Sequence, residues 1–212
     1  MSKAEYFGKM LLLKYSSEIV LFLAAFIYSF VAANFLGPEK YGLVSYLAAF
    51  MGSLPMMFGF AAVFDTSNIY SAKGFSRKLT KKIIIYSGIC LSYLAIGVAL
   101  FADKIALFLG KGTPDLILLS SAIVFFVPVT MIFSSIFSGR KLFGKILKLT
   151  ILEKVLDVVL LVLFFFVLKT DIFSVLYVKI VVSMILILVY LYYFRKFKDE
   201  PRHYKKKEVS TF

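Results

Sequence analysis

The feature that most constrains this chain is a series of uninterrupted apolar blocks, each 17 to 24 residues long. A helix rises about 1.5 Å per residue, so one such block matches the roughly 30 Å hydrocarbon core of a bilayer. Six blocks are present: Ile19 to Phe35, Tyr41 to Phe64, Ile83 to Ala102, Leu116 to Phe137, Ile151 to Leu168 and Ile172 to Phe194. Each is apolar along its whole length, whereas a membrane barrel strand alternates over about ten residues. A helix also satisfies its backbone groups within one segment, as lipid demands. The predicted fold class is therefore all-α, a polytopic membrane helical bundle with six transmembrane helices. Composition agrees, with 61% hydrophobic residues and a mean hydropathy of +0.90, beyond the roughly half-apolar makeup of a soluble domain.

The first block is not read as a secretory signal. No small-residue cleavage pattern follows it, and the second block begins almost at once. Cys90 is the only cysteine and lies inside an apolar block, which leaves no internal disulfide and no thiolate metal cluster to expect.

Cations alternate along the chain. Three Lys or Arg precede the first block, five lie between the second and third, four between the fourth and fifth, and seven in the tail from Arg195. The other links hold only Lys40, Lys104, Lys111 and Lys169. The positive-inside rule then puts both termini in the cytoplasm and the chain, multi-pass, in the cell membrane. The net charge of +13 is accounted for by this insertion pattern and by attraction to anionic membrane lipids, so no nucleic-acid partner is expected. The Lys- and Arg-rich tail reads as an interfacial stop, with Tyr190, Tyr192 and Tyr193 ahead of it suited to the headgroup belt.

No Pro/Gly/Ser-rich linker interrupts the blocks, so residues 1–198 read as one six-helix transmembrane domain and residues 199–212 as a basic cytoplasmic tail. The short connections Leu36 to Lys40 and Lys169 to Asp171 make blocks one and two, and five and six, antiparallel neighbours. Gly37 suits a helix end, and Pro38 with Glu39 suits the start of the next. Pro55 and Pro128 each remove a backbone donor inside a block and should kink it. Ser45, Gly52 and Gly59 in block two, and Ser134, Ser135, Ser138 and Gly139 at the end of block four, form small-residue stripes that let helices approach closely.

Catalytic arrangements are lacking. The sole histidine, His203, lies in the charged tail, no nucleophile has a base at matched spacing, and the stretch Gly110 to Pro114 does not follow the phosphate-cradling loop pattern. The expectation is no enzyme, no cofactor and no metal site. Ionisable residues in or beside the apolar blocks are costly there and point to a cavity or a partner. Glu18 and Asp65 sit near the cytoplasmic interface, where anchoring is the simpler reading.

Block five is more informative. Glu153 and Asp157, four apart, share a helix face, and Lys154 can pair with Asp157. At 1.5 Å per residue, Asp157 lies about 14 Å from the cytoplasmic start of its helix, and Lys179 about 10 Å below the outer end of block six. In a core about 30 Å thick their levels differ by about 6 Å, within a lysine's reach. An ion pair between Asp157 and Lys179 is expected, and its role stays open between helix adhesion and a polar translocation cavity. The candidate cavity residues are therefore Glu153, Lys154, Asp157 and Lys179.

Two segments carry a family resemblance. The run Asn34-Phe35-Leu36-Gly37-Pro38-Glu39-Lys40-Tyr41-Gly42-Leu43 resembles the L-G-P-x-x-Y-G connection of polysaccharide flippases in the multidrug/oligosaccharidyl-lipid/polysaccharide (MOP) exporter superfamily. The segment Phe137 to Val158, with a basic turn containing Arg140, Phe143, Gly144 and Lys145 before block five, is similar to that family's loop between helices four and five. Relatives carry twelve or more helices in two similar six-helix halves, and this chain resembles the first half. The resemblance implies a flippase that moves a lipid-linked sugar or polysaccharide precursor across the cytoplasmic membrane. It also implies a homodimer of half-transporters, since a large amphipathic substrate needs walls on both sides. Arg140, Lys141, Lys145 and Lys148 would then attract a diphosphate headgroup, or serve membrane topology alone. Two other readings stay open: an ion-coupled drug or metabolite exporter using Glu153 and Asp157, and a non-transporting membrane subunit or truncated flippase of polysaccharide biosynthesis.

Overall fold

A computed structural model describes residues 3–73, 76–109, 113–167 and 171–197. The basic tail expected over 199–212 lies outside them. Among the described residues the chain forms eight α-helices: α1 (Lys3–Leu36), α2 (Pro38–Met57), α3 (Phe60–Ala72), α4 (Arg77–Leu100), α5 (Ala102–Leu109), α6 (Pro114–Gly139), α7 (Phe143–Phe166) and α8 (Ser174–Arg195). A 3-10 turn, Asp171–Phe173, leads into α8.

Among the described residues four helices are long and apolar enough to cross a membrane: α1 from Leu11, α4, α6 and α8. The pair α2 and α3 makes a fifth crossing if it counts as one bent span. Every 18-residue stretch of α7 carries at least three charged side chains, which keeps that helix out of the same class. Length and continuity thus bear out an all-helical, multi-pass membrane fold.

Block two is one apolar run but two helices. Pro55 withholds a donor from the last turn of α2, Phe58 and Gly59 close it with i to i−3 bonds, and α3 starts from Gly59 in the left-handed region at φ +83°. The axis turns by 69° there, where a kink at Pro55 was expected. Pro128, by contrast, sits inside an unbroken α6. The α1 to α2 corner follows its sequence: Gly37 takes φ +79° and ψ 153°, a conformation essentially reserved for glycine, and Pro38 opens the next helix with Glu39 in its first turn.

The core gathers on α6, against which α2, α3, α4, α5, α7 and α8 all pack. Phe133, Ile132, Ile136 and Phe137 are fully enclosed there. Tyr190 of α8 stacks on Phe133 at 5.5 Å and meets Phe137 edge-on at 5.1 Å. It is therefore a core residue rather than a headgroup-belt tyrosine, whereas Tyr192 is exposed. The two small-residue stripes behave differently. A Cβ on Gly139 would strike the Asn68 carbonyl oxygen and lie 2.9 Å from Ser71 Cβ, so this glycine lets α6 touch the end of α3. Nothing lies within 4 Å of a Cβ built on Gly52 or Gly59, so neither makes the close approach expected of it.

The ends of the bundle sort by charge. The carboxyl ends of α3 and α6 meet at Gly139, and Phe197 beyond α8 packs on Phe137 at 5.1 Å. One end of the bundle thus gathers the basic links around Lys73 to Lys82 and Arg140 to Lys148. At the other end Phe35 of α1 contacts Phe165 and Phe166 of α7, each at 5.1 Å.

A buried charge cluster beside an inter-helix cavity

The 3.6-residue repeat of α7 puts Glu153, Lys154 and Asp157 within one turn of each other, and α8 brings Lys179 to them. Asp157 is the centre. Its carboxylate is 1% exposed, and Oδ2 accepts from Lys179 Nζ at 2.9 Å and from Lys154 Nζ at 3.1 Å. Lys154 Nζ also donates to Glu153 Oε1 at 2.7 Å. Two carboxylates and two ammonium groups thus neutralise one another, which is how a charge is tolerated away from water.

Two buried polar atoms of this cluster lack a hydrogen-bond partner among the described residues, Asp157 Oδ1 and the Tyr28 hydroxyl. Tyr28 comes from α1 and lies under Lys179, with Nζ 4.9 Å from the ring centroid. The ring face attracts the cation and so offers Lys179 a second stabilising contact besides Asp157. Glu153 and Lys179 are the more open members, 32% and 29% exposed.

Both face a cavity of about 230 Å³ framed by α2, α6, α7 and α8. Its apolar wall includes Ile123, Val127, Val182 and Leu186, its polar positions include Thr130 and Ser183, and Ala48 with Gly52 form the α2 side. Gly52 leaves volume at this wall where a side chain would fill it. The cavity is smaller than the roughly 300–1,000 Å³ of sites that enclose a drug-sized ligand. Tyr28, Thr130, Gly52 and Ser183 were not singled out for this site from the sequence. Tyr28, Thr130 and Ser183 are all polar residues inside apolar blocks, but the sequence does not tell which helix face they occupy.

The remaining candidates lie elsewhere. Glu18 on α1 and Asp65 on α3 are exposed and do not line the cavity. At the turn between α6 and α7, Arg140 rests on the Phe197 ring at 4.7 Å and Lys145 on the Tyr193 ring at 5.1 Å. These two cations fasten the end of α8 to the turn. Lys141, in the left-handed region at φ 57°, and Lys148 are exposed. Leu142 N–H donates to the Phe137 carbonyl at 3.0 Å, which seals the α6 terminus around Lys141.

The fold has solved counterparts. A MOP superfamily transporter from Pyrococcus furiosus, distinguished by the reverse polarity of its binding pocket, matches with a TM-score of 0.64 at 14% identity, over 87% of this chain and 44% of its own. An outward-facing multidrug resistance MATE family transporter of the same superfamily matches with a TM-score of 0.59 at 15% identity, over 87% and 44%. At such identities the likeness is one of fold, and the chain spans less than half the length of either transporter. No curated protein matches the chain. The family model described as polysaccharide biosynthesis protein matches residues 9–212. With nearly its whole length matched and a fold shared with MOP superfamily transporters, the chain belongs to the polysaccharide biosynthesis protein family.

Proposed function

We propose that this chain is a half-transporter that flips a lipid-linked sugar or polysaccharide precursor across the cytoplasmic membrane. It would span the membrane six times with both ends in the cytoplasm, and it would act without enzymatic chemistry. The observation that carries this reading is the neutral cluster of Glu153, Lys154, Asp157 and Lys179 opening onto a mostly apolar inter-helix cavity. Ion pairs inside a membrane bundle are costly, and a polar pathway is what such groups commonly mark. Sugar and phosphate would pass along this face while the lipid tail stays in the bilayer. Lys179 can exchange Asp157 for a substrate phosphate because both are anionic oxygen acceptors.

A cavity of about 230 Å³ is a wall rather than an enclosure for a substrate of this size. A second copy of the chain, related by a twofold axis along the membrane normal, would supply the facing wall, and the two lobes would rock between inward and outward openings. The gathering of basic links at one end of the bundle favours the cytoplasmic placement of that end.

The test is flux. Purified chain in vesicles should expose a labelled polyprenyl diphosphate sugar from the inner leaflet to a membrane-impermeant reagent, and Lys179→Met should slow that exposure. Vesicles that behave like empty ones despite folded chain would favour a non-transporting subunit instead. An unchanged rate in folded Lys179→Met would remove the cluster from the pathway, and a strictly monomeric active chain would refute the homodimer.

A further inference from the structure

Helices α3 and α4 each rest on α6 more than on one another, and a groove of about 440 Å³ opens between them. It shares no lining residue and no lining helix with the charged cavity. Ala62 and Val63 of α3 and Ile83 of α4 supply an apolar wall. Thr66, Lys82 and Tyr86 supply polar groups to the same groove. Lys82 and Tyr86 are one helical turn apart on α4, so both project into the groove from one face.

Charge is distributed along this groove in one direction. Lys82 lies towards the link between the two helices, where Arg77, Lys78 and Lys81 occupy the first turns of α4 and are exposed. Asp65 is the only acid on α3. Lys82 itself makes no ion pair among the described residues. An unpaired ammonium, set at the cationic end of a groove whose other wall is aliphatic, matches a molecule with an anionic head and a hydrocarbon tail. We propose that the groove between α3 and α4 binds one anionic phospholipid, with its phosphate at Lys82 and an acyl chain along Ala62, Val63 and Ile83. Basic pockets between membrane helices capture acidic headgroups by this combination of charge and apolar wall. A zwitterionic lipid would fill the apolar wall equally but gain less from the excess of cations.

The measurement is lipid retention by native mass spectrometry, with purified full-length chain in mild detergent doped with phosphatidylglycerol or phosphatidylcholine. Phosphatidylglycerol should be retained preferentially. One lysine near a membrane surface accounts for about a fivefold change in affinity, so Lys82→Gln should lower phosphatidylglycerol retention about fivefold. Lys73→Gln removes an equal charge outside the groove and should change it much less. Ala62 is exposed, so Ala62→Phe fills the groove without crowding the core and should also lower retention. Equal retention of the two lipids, unchanged retention in Lys82→Gln or Ala62→Phe, or an equal loss in Lys73→Gln would each overturn the site. The readout needs no flux, so it stands or falls separately from transport.

Discussion

Removing Lys179 tests whether the charge cluster holds α7 to α8. At an effective dielectric near 20, a unit pair at the observed 2.9 Å attracts by about 6 kcal/mol, and the pair of Lys154 with Asp157 at 3.1 Å by about 5 kcal/mol. The two lysines thus contribute similarly, and Lys179→Met strips about half of the compensation from a carboxylate that is 1% exposed. A buried ion deprived of its sole partner costs about 3 to 5 kcal/mol. Here Lys154 remains, and the partly exposed Lys179 was itself costly to desolvate, so the expected loss is about 2 to 3 kcal/mol. Asp157→Asn should cost a similar amount because two ammonium groups then lack their shared negative charge. The double variant should lose less than the sum of the singles by about 1 to 2 kcal/mol, since each removes the other's unpaired charge. Unfolding of the helical signal in mixed micelles of rising dodecyl sulfate content measures all three. Additivity to within about 0.5 kcal/mol would refute the claim that Asp157 and Lys179 are energetically coupled.

Gly139→Ala should destabilise by about 1 to 3 kcal/mol because a backbone carbonyl cannot yield to the added methyl group, whereas Gly52→Ala should leave stability nearly unchanged. The same micelle titration reads both, and an equal effect would contradict the α3 to α6 contact. For topology, single cysteines placed in a Cys90→Ser background at exposed Lys148 and exposed Lys104 should react with impermeant maleimide from opposite sides of the membrane. Labelling of both from the same side would refute the alternating arrangement.

Much of this architecture was legible from the chain because lipid imposes length. Apolar runs found the long helices though not the short α5, and Gly37 with Pro38 located the first corner to the residue. The rise per residue also put Asp157 and Lys179 at levels close enough to meet, and they do so at 2.9 Å. Rotation about each axis was not legible. Helices that are apolar on every side carry no amphipathic stripe to tell which face meets a neighbour. The burial of Tyr190 between Phe133 and Phe137 therefore had no sequence signal, and neither did the approach of Tyr28 to Lys179 or the place of Gly52 at the cavity wall. The break at Phe58 and Gly59 was hidden for another reason. Pro55 announces a missing bond, but whether the helix bends or stops depends on a glycine that can turn left-handed one turn later.

The main partner of α1 is α7 rather than its neighbour α2. More than a hundred residues separate the end of one from the start of the other, so during synthesis α1 enters the bilayer long before its mate exists. Until then its neighbour is α2, whose Tyr41 hydroxyl donates to Ser29 Oγ of α1 at 2.8 Å. Even in the finished bundle α1 leaves Phe22, Phe26 and Phe30 exposed, and the long sequence separation from α7 sets the order of assembly. It also makes closure of the lobe a late, long-range event, completed when α7 arrives and Phe165 stacks onto Phe35.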